Sequence, residues 1–405
     1  MKLTMLPAGE GDALWLEWGP RDDRRKMLVD LGVDATGKAL RARLEALPRE
    51  QRCFDLLVVT HVDTDHINGV LSAFVHAEPL DGLAFGDVWF NGWTHLEGST
   101  VAALDRRRLR DGAALVSDAR THVFGDDHEP YGGKQGEEFS VWLRRQPWNR
   151  AFGGAAVARP DGTLGRTVEL AHGLRLTVLG PTTRRLAELM PKWKQEVAAA
   201  LQKGQLDPND VAPVLVPAGL EPMGRKRPSA PKVDSADKLE TLAESSSQGD
   251  TSPPNGSSIT LLLEYEKVRL LLAGDAFPAD VVAALRLVDA PARPRFTAVK
   301  LPHHGSQNNV SRELVEAVEC RHWLFSSNGA KHYHPDAQAV ARVIRYASPT
   351  HPVLHFNEPS HFNGWWDRDD WRATHGYETR YGTATDGHTI ALSRAGNVVK
   401  QVEIF

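Results

Sequence analysis

The chain is poor in cysteine, with two in 405 residues, Cys53 and Cys320. Two cysteines exclude a disulfide framework and read as reduced thiols. Long apolar runs are missing as well. No stretch approaches the ~20 apolar residues of a membrane span. The opening MKLTMLPAGEGDALW lacks the long apolar core of a secretory signal. Nor is there an excess of one charge: 48 Lys and Arg stand against 52 Asp and Glu, a formal net charge of −4. That balance advertises no obligatory nucleic-acid duplex partner, although a local basic groove can sit inside a neutral total. These absences lead to the expectation of a reduced, cytoplasmic protein with no membrane part.

What is present is ordinary globular composition, 41% hydrophobic and 25% charged. The expectation is one domain over residues 1–405. Residues 204–256 are rich in Pro, Gly, Ser and Lys and read as a flexible insertion within it. Histidine (17) and tryptophan (11) are both plentiful.

Apolar runs at 1–7, 13–18 and 26–30 predict paired strands, and 39–47 predicts a helix through Leu40, Leu44 and Leu47. Phe54 to Thr60 is nearly all apolar and predicts a strand covered on both faces. Ile67, Val70, Leu71 and Phe74 then fall at helical spacing. Further strands are predicted at 174–180, 258–264, 268–273, 297–301, 322–326 and 353–356. Helices are predicted at 184–203, 278–287, 311–318 and 335–346. Strands in hairpins mixed with strand–helix alternation predict α/β architecture: mixed sheets with helices outside, a sandwich of four layers.

Four polar clusters follow apolar strands: HVDTDH at 61–66, Gly274-Asp275, HHGS at 303–306 and NGAKHYHP at 328–335. Active sites of α/β proteins collect at such strand ends. In the first cluster, His61, Asp63, Asp65 and His66 are all imidazoles or carboxylates. Mixed nitrogen and oxygen donors suit Zn²⁺, Mn²⁺ or Fe. Residues 61, 63 and 65 can point one way while His66 turns with the helix start, which permits two adjacent ions. A capped helix start explains one Asp, but not two Asp flanked by two His. Asp275 is a bridging carboxylate or a simple turn residue. Of His303 and His304, one ligates and the other orients or packs, with His304 favoured. Ser306 donates to substrate or caps its turn. His334 acts as a general acid or holds a phosphate oxygen at a helix start, or merely enters the helix. His332 is a weaker candidate. Asp12 and Asp30 read as residues that orient ligands without touching an ion.

Together these segments resemble a known family. THVDTDH at 60–66 resembles the T-H-x-H-x-D-H signature of the metallo-β-lactamase superfamily, with Asp63 in place of the middle His. With GEGDALWLE, LVDLG, SSITLLLEYEKVRLLLAGD, KLPHHGSQNN and SSNGAKHYHP, the chain resembles the metallohydrolase domain of the ComEC competence proteins and their free-standing relatives. The resemblance spans residues 1–80 and about 170–345. It implies the αββα metallo-β-lactamase sandwich and ligands at His61, Asp63, Asp65, His66, Asp275 and His304. It also implies one or two divalent ions, Zn or Mn. One departure stands out: the family often has His-Pro where this chain has Gly180-Pro181. His172, His122, His128 and His95 are candidate replacements. Single-ion occupancy or a preference for Mn²⁺ are open consequences.

The resemblance implies metal-dependent hydrolysis of a phosphodiester in nucleic acid or a nucleotide, the attacking hydroxide being drawn from water at neutral pH by the ion. Asp65 ligates and orients, and His334 meets charge developing on the scissile group. Lys300, Lys331 and the basic segment 225–232 supply positive charge. Two other readings are a carboxylic-ester, lactone or thioester hydrolase on the same residues, and a non-catalytic sensor or partner protein that keeps a metal for structure.

Overall fold

Residues 1–97, 132–206, 239–393 and 395–399 are described by a computed structural model. Alternation builds the first strands. Leu3, Met5, Leu14, Leu16, Met27 and Val29 turn to one face and join a core with Leu176, Leu261, Leu263 and Leu270. Trp15, Leu28 and Leu31 turn to the other face and pack with Leu40, Leu44, Val70 and Leu71. Strands buried on both faces need apolar residues at nearly every position, and the strand Cys53–Val58 has them.

Two mixed sheets result. The seven-stranded sheet runs in the order Val398–Val399, His388–Leu392, Lys2–Met5, Ala13–Trp18, Arg25–Leu31, Cys53–Val58, Ala84–Trp89. Its last two pairings are parallel and the others antiparallel. The eight-stranded sheet runs Glu378–Tyr381, Val353–Phe356, His322–Phe325, Ala298–Lys300, Val268–Leu272, Thr260–Tyr265, Arg175–Gly180, Thr167–Glu169. Its first four pairings are parallel and the remaining three antiparallel. Parallel strands put their C-terminal ends at one edge, so the loops after Leu272, Lys300 and Phe325 open together, and the segment after Val58 of the other sheet meets them, His66 Nε2 lying 3.2 Å from His304 Nε2. The inter-sheet core draws on both sheets. Two further cores form against helices, one on each sheet. This is an α/β sandwich with mixed sheets.

Most predicted elements lie where periodicity places them, and three differ. The first helix starts at Asp34 rather than 39, because Thr36 and Gly37 are buried on its inner face although neither is a strong helix former. The helix after HVDTDH runs Thr64–Val70 and widens into a π-turn over Leu71–Val75. The region read as a flexible insertion is built at its C-terminal end: Leu239–Glu244 is a helix, and Pro254, Asn255 and Gly256 are buried. Composition missed this because a few anchors, Leu239 and Ala243 in the helix and Pro254 and Asn255 after it, sit within a stretch that is otherwise polar. Residues 207–238, with the 225–232 basic segment, lie outside the described residues, as do His122 and His128. Among the described residues no helix is long and apolar enough to cross a membrane. Cys53 and Cys320 are both free.

Candidate metal centre

The loop after Cys53–Val58 brings His61, Asp63, Asp65 and His66 into the interior, all of them buried. Gly11 makes the approach possible: a Cβ there would lie 1.7 Å from the Asp65 carbonyl oxygen, so no other residue fits. Asp275 follows Val268–Leu272, its amide donating to Ser258 Oγ at 3.1 Å. His303 and His304 follow Ala298–Lys300 with φ of +48° and +55°. Asp30, at φ +52°, adds a third left-handed residue beside them. Such backbone costs of order 1–3 kcal/mol per residue and gathers at functional sites. Gly305 (φ +90°) completes the turn, its missing side chain leaving room for Phe325 and Pro335.

Hydrogen bonding behind the rings decides where each imidazole proton sits. His66 Nδ1 faces Asp30 Oδ2 at 2.8 Å. His304 Nδ1 faces Asp12 Oδ1 at 3.0 Å and the Ser326 carbonyl at 3.1 Å, acceptors both. Thr60 Oγ1 donates to Asp30 Oδ2 at 2.7 Å, so it accepts from His61 Nδ1 at 3.0 Å. His303 Nδ1 lies 2.9 Å from Asn309 Oδ1. A neutral imidazole has one N–H. As neutral rings, all four would spend it on the outer side and turn a bare Nε2 inward. A ring held this way by a carboxylate, carbonyl or hydroxyl is the usual arrangement of a metal-ligating histidine.

The inward atoms converge. His304 Nε2 lies 2.9 Å from Asp65 Oδ2, 3.4 Å from Asp275 Oδ2 and 3.2 Å from His66 Nε2. His66 Nε2 lies 3.3 Å from Asp275 Oδ1. His61 Nε2 lies 3.5 Å from Asp63 Oδ2 and 3.9 Å from Asp275 Oδ2. His61 Nε2, Asp63 Oδ1, Asp65 Oδ1 and Asp275 Oδ1 are buried without a hydrogen bond. Lone pairs facing lone pairs in a dry site repel. His61, His66 and Asp275, and likewise Asp65, His66 and His304, are close enough to share an ion. The donor set therefore fits a metal ion.

Charge tells the same story. Burial opposes protonating His66 and His304, yet Asp275 with Asp65 and Asp30, or with Asp12, holds both well above the usual imidazole value. Burial likewise opposes ionising Asp275, and the neighbouring His66, His304 and His303 keep it well below the carboxylate range. Protons and a cation are alternative answers to one negative field.

The structure brings His61, Asp63, Asp65, His66, Asp275, His303 and His304 together, with Asp12 and Asp30 behind the rings. His334 is adjacent, its ring 5.3 Å from that of His303 and its Nδ1 3.6 Å from Asp336 Oδ2. His332 is one step further, 6.2 Å from the His334 ring. Ser306 is the turn cap, its Oγ accepting from the Asn308 amide at 3.3 Å. Lys300 corrects an expectation: it is buried, pairs with Asp12 Oδ2 at 2.6 Å and faces no substrate. Lys331 stays near the surface, 3.8 Å from Glu10. Neither described replacement for position 180 reaches the centre. His172 pairs with Asp23 at 2.8 Å. His95 accepts from the Gly92 amide and donates to the Gly154 carbonyl, and burial brings it down to about 4. Sequence reasoning missed Thr60, Asn309 and Asp250, since a single polar residue carries no periodic signal.

Glu196 is a half-buried neighbour of Asp63. Burial pushes its carboxyl up to about 7, with the Gly133 amide and Lys192 opposing and the Asp63 carboxylate assisting. A folded-state value above the unfolded one gives stability that is present below about pH 4.5 and lost as pH rises to about 7. Glu196→Gln should therefore gain about 2–3 kcal/mol over wild type at pH 8 and almost nothing at pH 4.5. Denaturant melts at the two pH values check this; equal curves at pH 8 refute it. No family model and no curated protein matches this chain.

Proposed function

We propose that this protein is a cytoplasmic metal-dependent hydrolase with the four-layer αββα fold of the metallo-β-lactamase superfamily, acting on phosphodiesters of nucleic acid or nucleotides. One observation carries the reading: four imidazoles, each held from behind, turn bare Nε2 atoms onto Asp65 and Asp275. Asp65, His66, His304 and Asp275 would hold one ion. His61, Asp63 and Asp275 would hold a second, more weakly, since position 180 offers no donor. The mixed nitrogen and oxygen set suits Zn²⁺ or Mn²⁺. The chemistry supplied by a bound ion is Lewis-acid activation of water and of the scissile ester.

The protein's own residues do the rest. Asp30 and Asp12 fix the His66 and His304 tautomers, and Lys300 neutralises Asp12 from behind. Asp65 orients the attacking water. His334 stands beside this set, its Nδ1 3.6 Å from Asp336 Oδ2, and is the group nearest to hand for the leaving oxygen. The phosphodiester assignment rests on the family resemblance of the 60–66, 274–275 and 303–306 segments.

The test is metal analysis of the purified chain, then hydrolysis assays with Mn²⁺ or Zn²⁺ on single-stranded DNA, RNA, cyclic dinucleotides and bis(p-nitrophenyl) phosphate. Aryl acetates, lactones and thioesters run in parallel. Phosphodiester turnover supports the proposal. Turnover of the carboxylic esters alone would move the substrate class. Bound metal without any turnover would leave a non-catalytic metal protein and end the hydrolase reading.

A further inference from the structure

The inner face of the eight-stranded sheet is apolar at its middle, where Leu324 shares the inter-sheet core with Ile390 of the other sheet. Toward the start of its parallel strands the pattern breaks. Register puts His355 beside Leu324 and Arg380 beside His355, with His322, Val353 and Glu378 in line one step back. Residues paired in this way share a face. His388 joins them from the seven-stranded sheet, hydrogen-bonded to His355 as His355 is to His322. With Arg321 these groups line a cleft of about 620 Å³. Polar groups between two sheets cost free energy unless hydrogen-bonded. The imidazoles meet that need with each other, and a neutral row of rings can run in either direction, so His322 Nε2 at the outer end is either donor or acceptor.

The cleft already holds an oxyanion of the protein's own. Arg321 Nη2 donates to Glu378 Oε1 at 3.1 Å and Arg380 Nη2 donates to Oε2 at 2.6 Å, so one carboxylate spans two guanidiniums. These three side chains are 51%, 42% and 50% exposed, so water competes for the contact and Glu378 has room to swing out. Two guanidiniums against one carboxylate leave net positive charge, and each guanidinium has five N–H groups to offer.

We propose that this cleft binds a doubly charged oxyanion, sulfate or the phosphate of a small ester, which displaces Glu378 from Arg321 and Arg380 and accepts an N–H from His322. The inference does not depend on the metal-centre reading. Two negative charges match two guanidiniums, whereas the carboxylate neutralises only one. The charged groups acting on the imidazoles are Arg321, Glu378 and Arg380. Burial first, and then the guanidiniums, bring His322 down to about 4. A bound dianion opposes both guanidiniums, so binding draws a proton into the row.

The test is calorimetric titration of the full chain with sulfate, whose charge is the same at pH 5 and pH 8, at an ionic strength fixed with chloride. At pH 8 Glu378→Gln should bind sulfate about tenfold more tightly than wild type, and Arg380→Gln about tenfold more weakly. Urea midpoints at pH 8 verify that these half-exposed positions leave the variants folded. In Glu378→Gln, where position 378 has no carboxyl to titrate, affinity should rise about threefold or more between pH 8 and pH 5. His322→Gln in that background should abolish the rise. Phenyl phosphate beside inorganic phosphate separates the sources: tighter binding of the ester, lost in Arg380→Gln, places its ring on Val353 and Ile390, and equal binding assigns the bare ion. Absence of sulfate binding, equal affinity in wild type, Glu378→Gln and Arg380→Gln, or a rise at pH 5 that survives His322→Gln overturns the inference.

Discussion

On the proposed metal-hydrolase reading, replacing Asp275 by alanine should strip most of the metal and lower hydrolytic kcat/KM by about a thousandfold, about 4 kcal/mol of transition-state stabilisation. Asp275 is the carboxylate that faces all four imidazoles. Its Oδ1 lies 3.3 Å from His66 Nε2, and its Oδ2 lies 3.4 Å from His304 Nε2 and 3.9 Å from both His61 and His303 Nε2. Removing it takes a charge from either ion position and leaves His61 with Asp63 alone. Asp63→Ala should be milder, since Asp63 Oδ2 faces only His61, at 3.5 Å. The measurement is metal stoichiometry together with rate at saturating Mn²⁺. An Asp275→Ala protein that holds wild-type metal and turns over within tenfold of wild type would remove the basis for the site.

Acid should destabilise the protein through a second histidine group, unconnected with the first. His322 Nδ1 lies 2.9 Å from His355 Nε2, and His355 Nδ1 lies 2.8 Å from His388 Nε2. The three imidazoles bridge the two sheets and line a cleft of about 620 Å³ with Arg321, Glu378 and Arg380. Burial, reinforced by the Arg380 guanidinium, lowers all three, His322 and His388 to about 4 and His355 further. Arg321 adds to the shift of His322, and Glu378 opposes it. A folded-state value below the unfolded 6.5 gives stability that is complete above about pH 6.5 and lost as pH falls toward 4. His388→Gln keeps a neutral polar group and removes one such titration. Its stability should fall less steeply between pH 6 and 4.5, by about 1.4 kcal/mol per pH unit. Urea midpoints across that range, with and without metal, decide it. An unchanged slope refutes it, and a metal-dependent one assigns the transition to the other cluster.

His322 begins its strand, while the candidate metal centre lies beyond the C-terminal end of the same strand, where Ser326 meets His304. One end of the sheet thus collects carboxylates with imidazoles, and the other imidazoles with guanidinium groups. The first set invites cations and the second resists protons.

Much of this was legible in the chain. Alternation and apolar runs located most strands to within two residues, because burial of one face or both is written at every second position. Strand ends carrying His and Asp marked the site, because donor chemistry needs those residue types. Gly11 and Gly305 lie in the GEGDA and HHGS segments that carry the family resemblance.

What only tertiary structure decided is which groups meet. His66 finds His304 across 238 positions, and His304 finds Asp12 across 292. No local pattern reports such a pairing. Lys300 reads as free positive charge in sequence and is spent on Asp12 in the fold. His303 and His304 are indistinguishable as letters, and their outer partners show that both turn Nε2 inward. Asp250 sits in a stretch whose composition reads as spacer. The reason is common to all of these. Periodicity records a residue's average exposure, whereas the position of a proton on an imidazole depends on one atom brought from elsewhere in the chain.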